Sequence, residues 1–226
     1  KAEKSYRDAI HYNPKDYEAR ASLRRLKGEK EVWAVFGEPE MENIFKNTPE
    51  QSAYPEDNSL ILMNETQRVI YPGGGSETKY FFAVKLFNVE GVDTWKEYYT
   101  NVSGNQNLMV EKAEIIKKDG NKIKAEVNYS QIVFTGLEPG DCILVVYKVE
   151  NYYSGKLSEH FWDKHYFTIF FPYLQSKYSI LVPSDQEFKY KVVHSDMNPE
   201  ISNKDNFKLY SWEKKNQPSV KSERYM

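Results

Sequence analysis

Apolar residues near the start of the chain recur at helical intervals. Between residues 2 and 10 they lie three to four positions apart, as on one face of a helix. Pro14 ends this helix, because proline has no amide hydrogen to donate. A second amphipathic helix is predicted from about residue 16 to residue 27, with Gly28 closing it. The pattern therefore predicts a short N-terminal α-helical hairpin over residues 1–30.

Residues 31–58 show no sustained period and are predicted to be a linker or collar. Pro39, Pro49 and Pro55 interrupt the segment, and proline breaks both helices and strand ladders. Apolar residues three to four positions apart predict one short helix around residues 40–47. We place the boundary between the helical hairpin and the rest of the chain in this segment.

From residue 59 onward the pattern changes to short segments rich in Val, Ile, Tyr and Phe, separated by turn residues. This is typical of β-strands, and at least nine candidates are present. Residues 142–150 are apolar at both odd and even positions, which predicts a central strand covered on both faces. The last four candidate strands are residues 165–171, 178–182, 188–193 and 207–212.

Turn residues between the strands favour antiparallel pairing. Asp119 and Gly120 form a two-residue hairpin signal, because both positions tolerate positive φ. Pro139 and Gly140 suit a type II turn with glycine in the left-handed position. Short connections with little helix between strands predict a mainly β fold. We expect an antiparallel β-sandwich of about nine or more strands over residues 59–226, with a half-open barrel as the alternative.

Composition and charge narrow the classes of partner. The 226 residues carry 31 Lys and Arg against 33 Asp and Glu, a net charge of −2, which argues against binding to nucleic acid or anionic lipid by bulk charge. No apolar run approaches the roughly 20 residues of a membrane span. The single cysteine excludes an intrachain disulfide and a multi-cysteine zinc site. The chain opens at Lys1 inside a helix, so we expect a piece excised from a longer protein.

The sequence contains no complete catalytic or metal-binding constellation and implies no cofactor. A cysteine nucleophile needs an accessible thiol and a His partner, whereas Cys142 precedes an apolar run and is expected to be a small core residue. Asp163 and His165 would share one face of an extended strand while His160 faces the other way, which is a weak signal for metal. The glycine-rich residues 71–77 lack the Lys-Ser/Thr of a phosphate loop and are predicted to be a hairpin turn.

Aromatic residues raise the main question of binding. The chain has 18 Tyr, 12 Phe and 4 Trp. On a β-sandwich such residues either fill the core or form an exposed surface for a protein or a glycan. The candidate interaction residues are Tyr152 and Tyr153, which flank a predicted turn, together with Trp162 and Trp212. Trp212 is expected to lie in an exposed apolar patch near the last strand.

Four segments of the chain, taken in order, resemble a known family. They are KKDGNKIK at 117–124, YSQIVFTGLEPGDCILVVYKVE at 129–150, FPYLQSKYSILVP at 171–183 and LYSWEKKNQPSVKSERYM at 209–226. Together they resemble a bacterial domain of unknown function that lies N-terminal to transglutaminase-like cores, over roughly residues 59–226. Upstream, the spacing of Ala2, Tyr6, Ala9 and Pro14 resembles the second half of a tetratricopeptide repeat, which would end an array of such repeats.

The resemblance implies a non-catalytic accessory β-sandwich module of a larger, papain-fold transglutaminase-like protein. The module would position the catalytic core or frame its substrate, and the Cys, His and Asp of that core would lie beyond Met226. The implied partners are the adjacent core and the upstream helical repeats, and relatives suggest an envelope, periplasmic or exported location. The fragment would then not be an enzyme, although its parent would be a transglutaminase-like protease. The alternatives are a glycan- or peptide-binding β-sandwich module and a stand-alone hydrolase.

Overall fold

The structure is a computed structural model that describes residues 1–100, 102–167 and 169–220. The end of the last segment resembling the known family, residues 221–226, and position 168 of a predicted strand lie outside the described residues. Short 3-10 turns are found at Val32–Val35 and Gln51–Ala53. The α-helices are α1 Ala2–Tyr12, α2 Tyr17–Leu26, α3 Met41–Lys46 and α4 Val89–Trp95. The strands are β1 Ser59–Ile70, β2 Ser76–Leu86, β3 Glu97–Tyr99, β4 Gln106–Ile116, β5 Lys122–Lys124, β6 Glu126–Asn128, β7 Gln131–Val133, β8 Cys142–Asn151, β9 Tyr173–Pro183, β10 Glu200–Lys204 and β11 Phe207–Gln217.

The N-terminal hairpin of α1 and α2 forms as the apolar spacing predicts. The Asp16 side chain caps α2, since its Oδ1 accepts a hydrogen bond of 2.8 Å from the Ala19 amide. α1 has no buried residue, whereas Tyr17 and Ala19 of α2 are buried, and Tyr17 packs with Val69 and Leu181 of the large sheet. The hairpin is therefore attached to the β-structure through its second helix. No helix in the described part of the chain has both the length and the apolar character needed to cross a membrane.

The strands form one large and one small sheet. The large sheet has the order β10-β11-β9-β1-β2-β8-β4-β5, and the small sheet has the order β3-β7-β6. All neighbouring strands are antiparallel except β1 and β9, which run parallel. The predicted mainly β, antiparallel fold with a helical start is therefore confirmed. Over the described ranges the large sheet does not close into a barrel.

The predicted turns and the predicted central strand are also present. Gly120 has φ +86° in the hairpin between β4 and β5, and Gly140 has φ +94° just before β8. Both angles lie in the left-handed region that glycine tolerates best. The hairpin differs from the predicted two-residue turn, because Asp119 is not at positive φ and the loop between the paired residues Ile116 and Lys122 is longer. β8 lies between β2 and β4, and all of its residues except Lys148 are buried. The apolar residues at both odd and even positions thus located β8 correctly as a strand covered on both faces.

Two of the predicted strands are wrong. Among the described residues of 165–171 and in 188–193, the main chain joins no ladder. Both segments lie across a face of the large sheet, so their side chains contact the sheet while their main chains have no neighbouring strand. Tyr190, for example, packs its ring 5.2 Å from that of Trp212. β9 follows one of these long crossing segments rather than a tight turn, which is how it comes to run parallel to β1.

The large sheet is apolar on both faces. On its front face, Phe82, Val84, Ile143 and Val145 pack against Ile132 and Phe134, and Tyr98 and Trp95 close the same cluster. Of these covering residues, Ile132 and Tyr98 belong to the small sheet, Phe134 directly follows β7, and Trp95 ends α4. The other half of the front face carries a second cluster, which the segments 152–172 and 184–199 cover. That cluster consists of Ile70, Tyr178, Ile180, Val182 and Trp212, with Phe161, Phe167, Phe188, Val192 and Met197 against it.

The back face of the large sheet is covered by the N-terminal 58 residues. Leu60, Leu62, Phe81 and Leu144 pack against the predicted short helix, now seen as α3. The helical hairpin and the first 3-10 turn cover the other half of this face, in a cluster with buried residues Tyr17, Val32, Phe36, Val69, Tyr71 and Leu181. The segment predicted to be a linker or collar therefore packs as part of the core.

Tyr17→Phe should show how firmly the hairpin is attached. The Tyr17 hydroxyl donates to the Asn151 carbonyl and accepts from the Ser76 amide at 3.0 Å, in a site where only 5% of the residue is exposed. Because its loss leaves two buried groups without a partner, we expect the free energy of unfolding to fall by about 1–3 kcal/mol. Tyr12→Phe is the matched control, since Tyr12 is 85% exposed on α1. Equal urea midpoints for both variants would contradict this account.

Candidate functional site

A cavity of about 350 Å³ lies between the helical hairpin and the back face of the large sheet. α2 and the turn at Val32–Val35 form its sides, and β2 and β8 form its floor. We call it the hairpin cavity. Its lining includes Tyr17, Arg20, Arg24, Trp33, Tyr71, Glu77, Lys148, Glu150 and Tyr152.

The floor of the hairpin cavity holds one lysine between two buried carboxylates. Lys148 Nζ lies 2.9 Å from Glu77 Oε1 and 3.2 Å from Glu150 Oε1. Burial alone would lower the pKa of Lys148, but hydrogen bonds and the charges of both carboxylates outweigh burial and raise that pKa. Tyr71 donates a hydrogen bond of 2.5 Å to Glu77, and Tyr152 donates one of 2.9 Å to Glu150. The buried charges are therefore all partnered within the cavity floor.

The upper part of the hairpin cavity is arranged around Arg20 of α2. Its guanidinium lies 4.4 Å from the centre of the Tyr71 ring and donates hydrogen bonds to the carbonyls of Pro14 and Pro72. The Tyr17 ring contacts the Tyr152 ring edge to face at 5.3 Å. These contacts join α2 to strand ends of the large sheet. The arrangement is suited to holding the hairpin in a fixed orientation, since its polar groups already bind one another.

The only thiol of the chain has no catalytic setting. Cys142 is buried in the back-face cluster, and burial raises the pKa of its thiol to about 12. No hydrogen bond joins it to a histidine among the residues that the structure describes. The expectation that Cys142 is a small core residue is confirmed by this burial.

The candidate metal ligands have other partners. Asp163 and His165 do lie on the same side of their segment, as predicted, but Asp163 forms an ion pair with Arg68 and His165 contacts Ser176. Within ranges 1–100, 102–167 and 169–220, no three His, Cys, Asp or Glu side chains are grouped to hold a metal ion. Within the glycine-rich residues 71–77, positions 71–75 form the turn between β1 and β2, as predicted, and positions 76–77 begin β2.

The four candidate interaction residues lie in different places. Tyr152 lines the hairpin cavity, and Tyr153 places its hydroxyl 3.4 Å from Ser103 Oγ; both rings are about half-exposed. Trp162 is 80% exposed. Trp212, expected in an exposed patch, is only 5% exposed, so that expectation is wrong. The rings of Tyr178, Tyr190 and Tyr210 surround Trp212, because segment 184–199 covers the front face here.

Trp162 belongs to an extended segment, residues 161–167, which we call the ribbon. Phe161 and Phe167 point into the front-face cluster around Trp212. Between them, Asp163 Oδ2 lies 3.0 Å from Arg68 Nη2 of β1 and accepts a hydrogen bond of 2.9 Å from the Tyr178 hydroxyl. The odd-numbered residues of the ribbon therefore fasten it to the sheet.

The outer side of the ribbon and its continuations are apolar and exposed. Tyr166 is 61% exposed on the same side of the ribbon as Trp162, and the flanking Leu157 and Phe170 are 76% and 75% exposed. Large apolar side chains grouped at the surface are typical of an interaction site. Since the inward residues anchor the ribbon, this exposure is not the result of a loosely held loop.

Sequence reasoning missed the residues that support the ribbon and the cavity floor. Arg68 and Lys148 are charged residues within largely buried strands. A charge in a predicted buried strand was the one feature of the sequence that could have pointed to them. A buried charge is costly without a partner. The partners, Asp163 and Glu77, are distant in sequence, so no local pattern links them.

Comparison with known proteins gives a family match for part of the chain. Residues 128–221 match the family described as a Domain of Unknown Function with solved structure, DUF3857. This region is less than half of the chain and falls within the residues, 59–226, for which the family resemblance was noted. No curated protein matches.

Among solved structures, a "putative protease" from Parabacteroides distasonis has a similar fold. The TM-score is 0.60 at 18% identity, and the match covers 74% of this chain and 37% of that protein. M1 zinc metallopeptidase from Deinococcus radiodurans matches with a TM-score of 0.37 and 8% identity over 70% of this chain and 39% of that one, too distant to carry an argument. The TM-score of 0.60 shows that this chain shares its fold with a part of the Parabacteroides protein. The chain spans 37% of that protein's length.

The attachment of the ribbon should depend on pH through His165. Burial lowers the pKa of His165 to about 4, although the charge of Asp163 opposes the shift; the unfolded value is about 6.5. As the pH falls, His165 therefore binds a proton in the unfolded chain before it does so in the folded chain. The contribution of neutral His165 to the free energy of unfolding is complete above pH 6.5 and is lost as the pH falls from 6.5 through 4. We expect wild type to lose about 3 kcal/mol relative to His165→Gln between pH 7 and pH 4.

Urea unfolding at several pH values measures this difference. His11→Gln is the control, because His11 is exposed on α1. A difference between wild type and His165→Gln that stays constant from pH 7 to pH 4 would contradict the burial of a neutral His165.

Lys148→Met should be more destabilising than Lys79→Met. Both lysines are on the back face. Lys148 neutralises two carboxylates with 7% and 11% side-chain exposure, whereas Lys79 pairs with Glu111, which is 40% exposed. We expect a loss of about 3 kcal/mol for Lys148→Met and at most about 1 kcal/mol for Lys79→Met in urea unfolding. Adding Glu77→Gln to Lys148→Met should restore part of the loss. Equal losses for the two lysines would contradict the charge assignment.

Proposed function

We propose that this chain is a non-catalytic accessory β-module of a larger transglutaminase-like protein, in which it positions the catalytic core or frames its substrate. The observation that carries the proposal is the shared fold with a 37% portion of the Parabacteroides protein, described as a "putative protease". A fold unit that occupies part of a longer protease-like protein is suited to an accessory role. The DUF3857 match of residues 128–221 supports the same assignment.

The state of the thiol supports a catalytic centre outside this chain. A papain-like mechanism needs a thiolate beside a histidine. Cys142 is buried on the back face with a raised pKa, while His165 contacts residues of the front face, so the large sheet lies between them. In this proposal the nucleophile belongs to the core domain.

The hairpin cavity gives the accessory role a physical basis. Hydrogen bonds of Tyr17 and the contacts of Arg20 join α2 to the large sheet. A helical array continuing from the hairpin would therefore keep a fixed orientation to the β-module. A core domain linked to the same module would share that frame. Docking through Trp212 is not part of the proposal, because Trp212 is buried.

Thiol reactivity and activity together test the proposal. We expect Cys142 in the folded chain to react with Ellman's reagent at least about 100-fold more slowly than in 8 M urea, because burial suppresses the thiolate. The purified chain should neither hydrolyse casein nor transfer an amine to it. Amidase or transferase activity that Cys142→Ala abolishes would overturn the assignment.

The accessory role itself is tested in the parent protein. Removing this module should reduce kcat/KM for a protein substrate while leaving hydrolysis of a small amide by the core unchanged. Equal kcat/KM for the protein substrate with and without the module would contradict a role in positioning or framing.

A second candidate function is peptide binding, favoured by the ribbon. Trp162 and Tyr166 lie exposed on a segment that Arg68, Tyr178 and Ser176 fasten from below. Exposed aromatic residues on a rigid support are typical of binding surfaces.

A further inference from the structure

The ribbon has the form of a β-strand that has no neighbouring strand among the described residues. Its odd-numbered residues face the sheet and its even-numbered residues face outward, which is the side-chain period of a strand. Within the described residues, the main-chain N–H and C=O groups of 161–166 form no hydrogen bond. Asp163 is an exposed residue although its side chain is only 25% exposed, so much of that exposure is main chain. An extended main chain is therefore open to pairing.

The ribbon is ordered without using its main chain. Ion pairing of Asp163 with Arg68, the contact of His165 Nε2 with Ser176 Oγ at 3.2 Å, and the packing of the half-buried Phe161 and Phe167 hold it against the front face. A partner that pairs with a segment already fixed in extended form avoids the entropic cost of ordering it. This preorganisation favours recognition by main-chain hydrogen bonds.

We propose that the ribbon is a binding site for an extended peptide, which lies beside it as an added strand. In this mode the main-chain hydrogen bonds supply affinity, and every second side chain supplies specificity. The proposal is independent of the accessory role, because it concerns only the surface of this chain.

The outward side chains define the preferred peptide. Trp162, Lys164 and Tyr166 face outward at every second position, and the Lys164 amine lies 5.3 Å from the Tyr166 ring centre. Side chains directly opposite on paired strands interact, and opposite charges stabilise the pair. A peptide with an apolar residue, a carboxylate and an apolar residue at positions i, i+2 and i+4 therefore fits the ribbon.

Lys164 also argues against pairing of the ribbon with a second copy of itself. Antiparallel self-pairing centred on this residue would place two lysines directly opposite each other, which is destabilising. Sugar rings could stack on Trp162, but a glycan would not use the unpaired main chain. An acidic, extended peptide is the occupant that uses both features of the ribbon.

The test uses the full 226-residue chain and the probe peptide acetyl-Thr-Ile-Thr-Glu-Thr-Ile-Thr-amide in calorimetric titration. Two analogues carry N-methyl groups, one on the Ile and Glu amides and the other on the Thr amides. Successive amides of a strand point to opposite edges. We expect one analogue to lose at least tenfold in affinity and the other to bind like the parent peptide.

Variants and a charge swap test the side-chain contacts. Trp162→Ala should weaken binding at least tenfold, whereas Tyr12→Ala, which removes an exposed aromatic residue of α1, should leave it unchanged. Lys164→Glu should reverse the preference, so that the probe with Lys in place of Glu binds better. Both variants alter exposed side chains and should fold, as circular dichroism would confirm.

Several results would overturn the proposal. One is no measurable binding of the probe at 1 mM peptide. Another is an equal effect of the two methylation patterns, because side-chain adhesion does not depend on which amides are free. Binding that Trp162→Ala leaves unchanged would place the peptide elsewhere, and a dimer in sedimentation that Trp162→Ala dissociates would assign the ribbon to self-association.

Discussion

The fold is governed by the need to cover a wide sheet that is apolar on both faces. β1, β2, β8 and β9 are buried along nearly their whole length. A sheet of eight strands exposes far more apolar area than a second sheet of three short strands can cover, and exposed apolar area is unfavourable in water. Helical and irregular segments therefore complete both faces: the first 58 residues on the back, and segments 152–172 and 184–199 on the front.

This requirement explains which parts of the fold could be predicted. Gly120 and Gly140 carry local backbone information, so the adjoining turns follow from sequence alone. Burial of β8 also follows from the sequence, because apolar residues occupy both its odd and its even positions. Residues 165–171 and 188–193 have the composition of strands, yet those of them that the structure describes are not in strands, because alternating burial arises equally when an extended segment lies across a sheet face. Only the presence of a neighbouring strand distinguishes the two cases, and that is a non-local property.

The same limit applies to the candidate sites. Trp162 was one of the candidate interaction residues and is exposed, but burial of Trp212 depends on segment 184–199 folding over it, which no pattern within β11 reveals. Lys148 is read from the sequence only as an interruption in an apolar strand. The structural role of Lys148 depends on its ion pair with Glu77, which the pairing of β2 with β8 brings close to it.

The ribbon reverses the usual distribution of polar and apolar residues. It turns Asp163 and His165 toward the sheet and Trp162 and Tyr166 toward solvent, although burial of the apolar residues would stabilise the fold more. A partly buried ion pair such as Arg68–Asp163 contributes little net stability compared with apolar packing, but it fixes geometry well. Stability alone therefore does not account for the arrangement. A surface that must present aromatic side chains and a free main chain in one orientation does account for it, since both the fixed geometry and the outward aromatics then have a role.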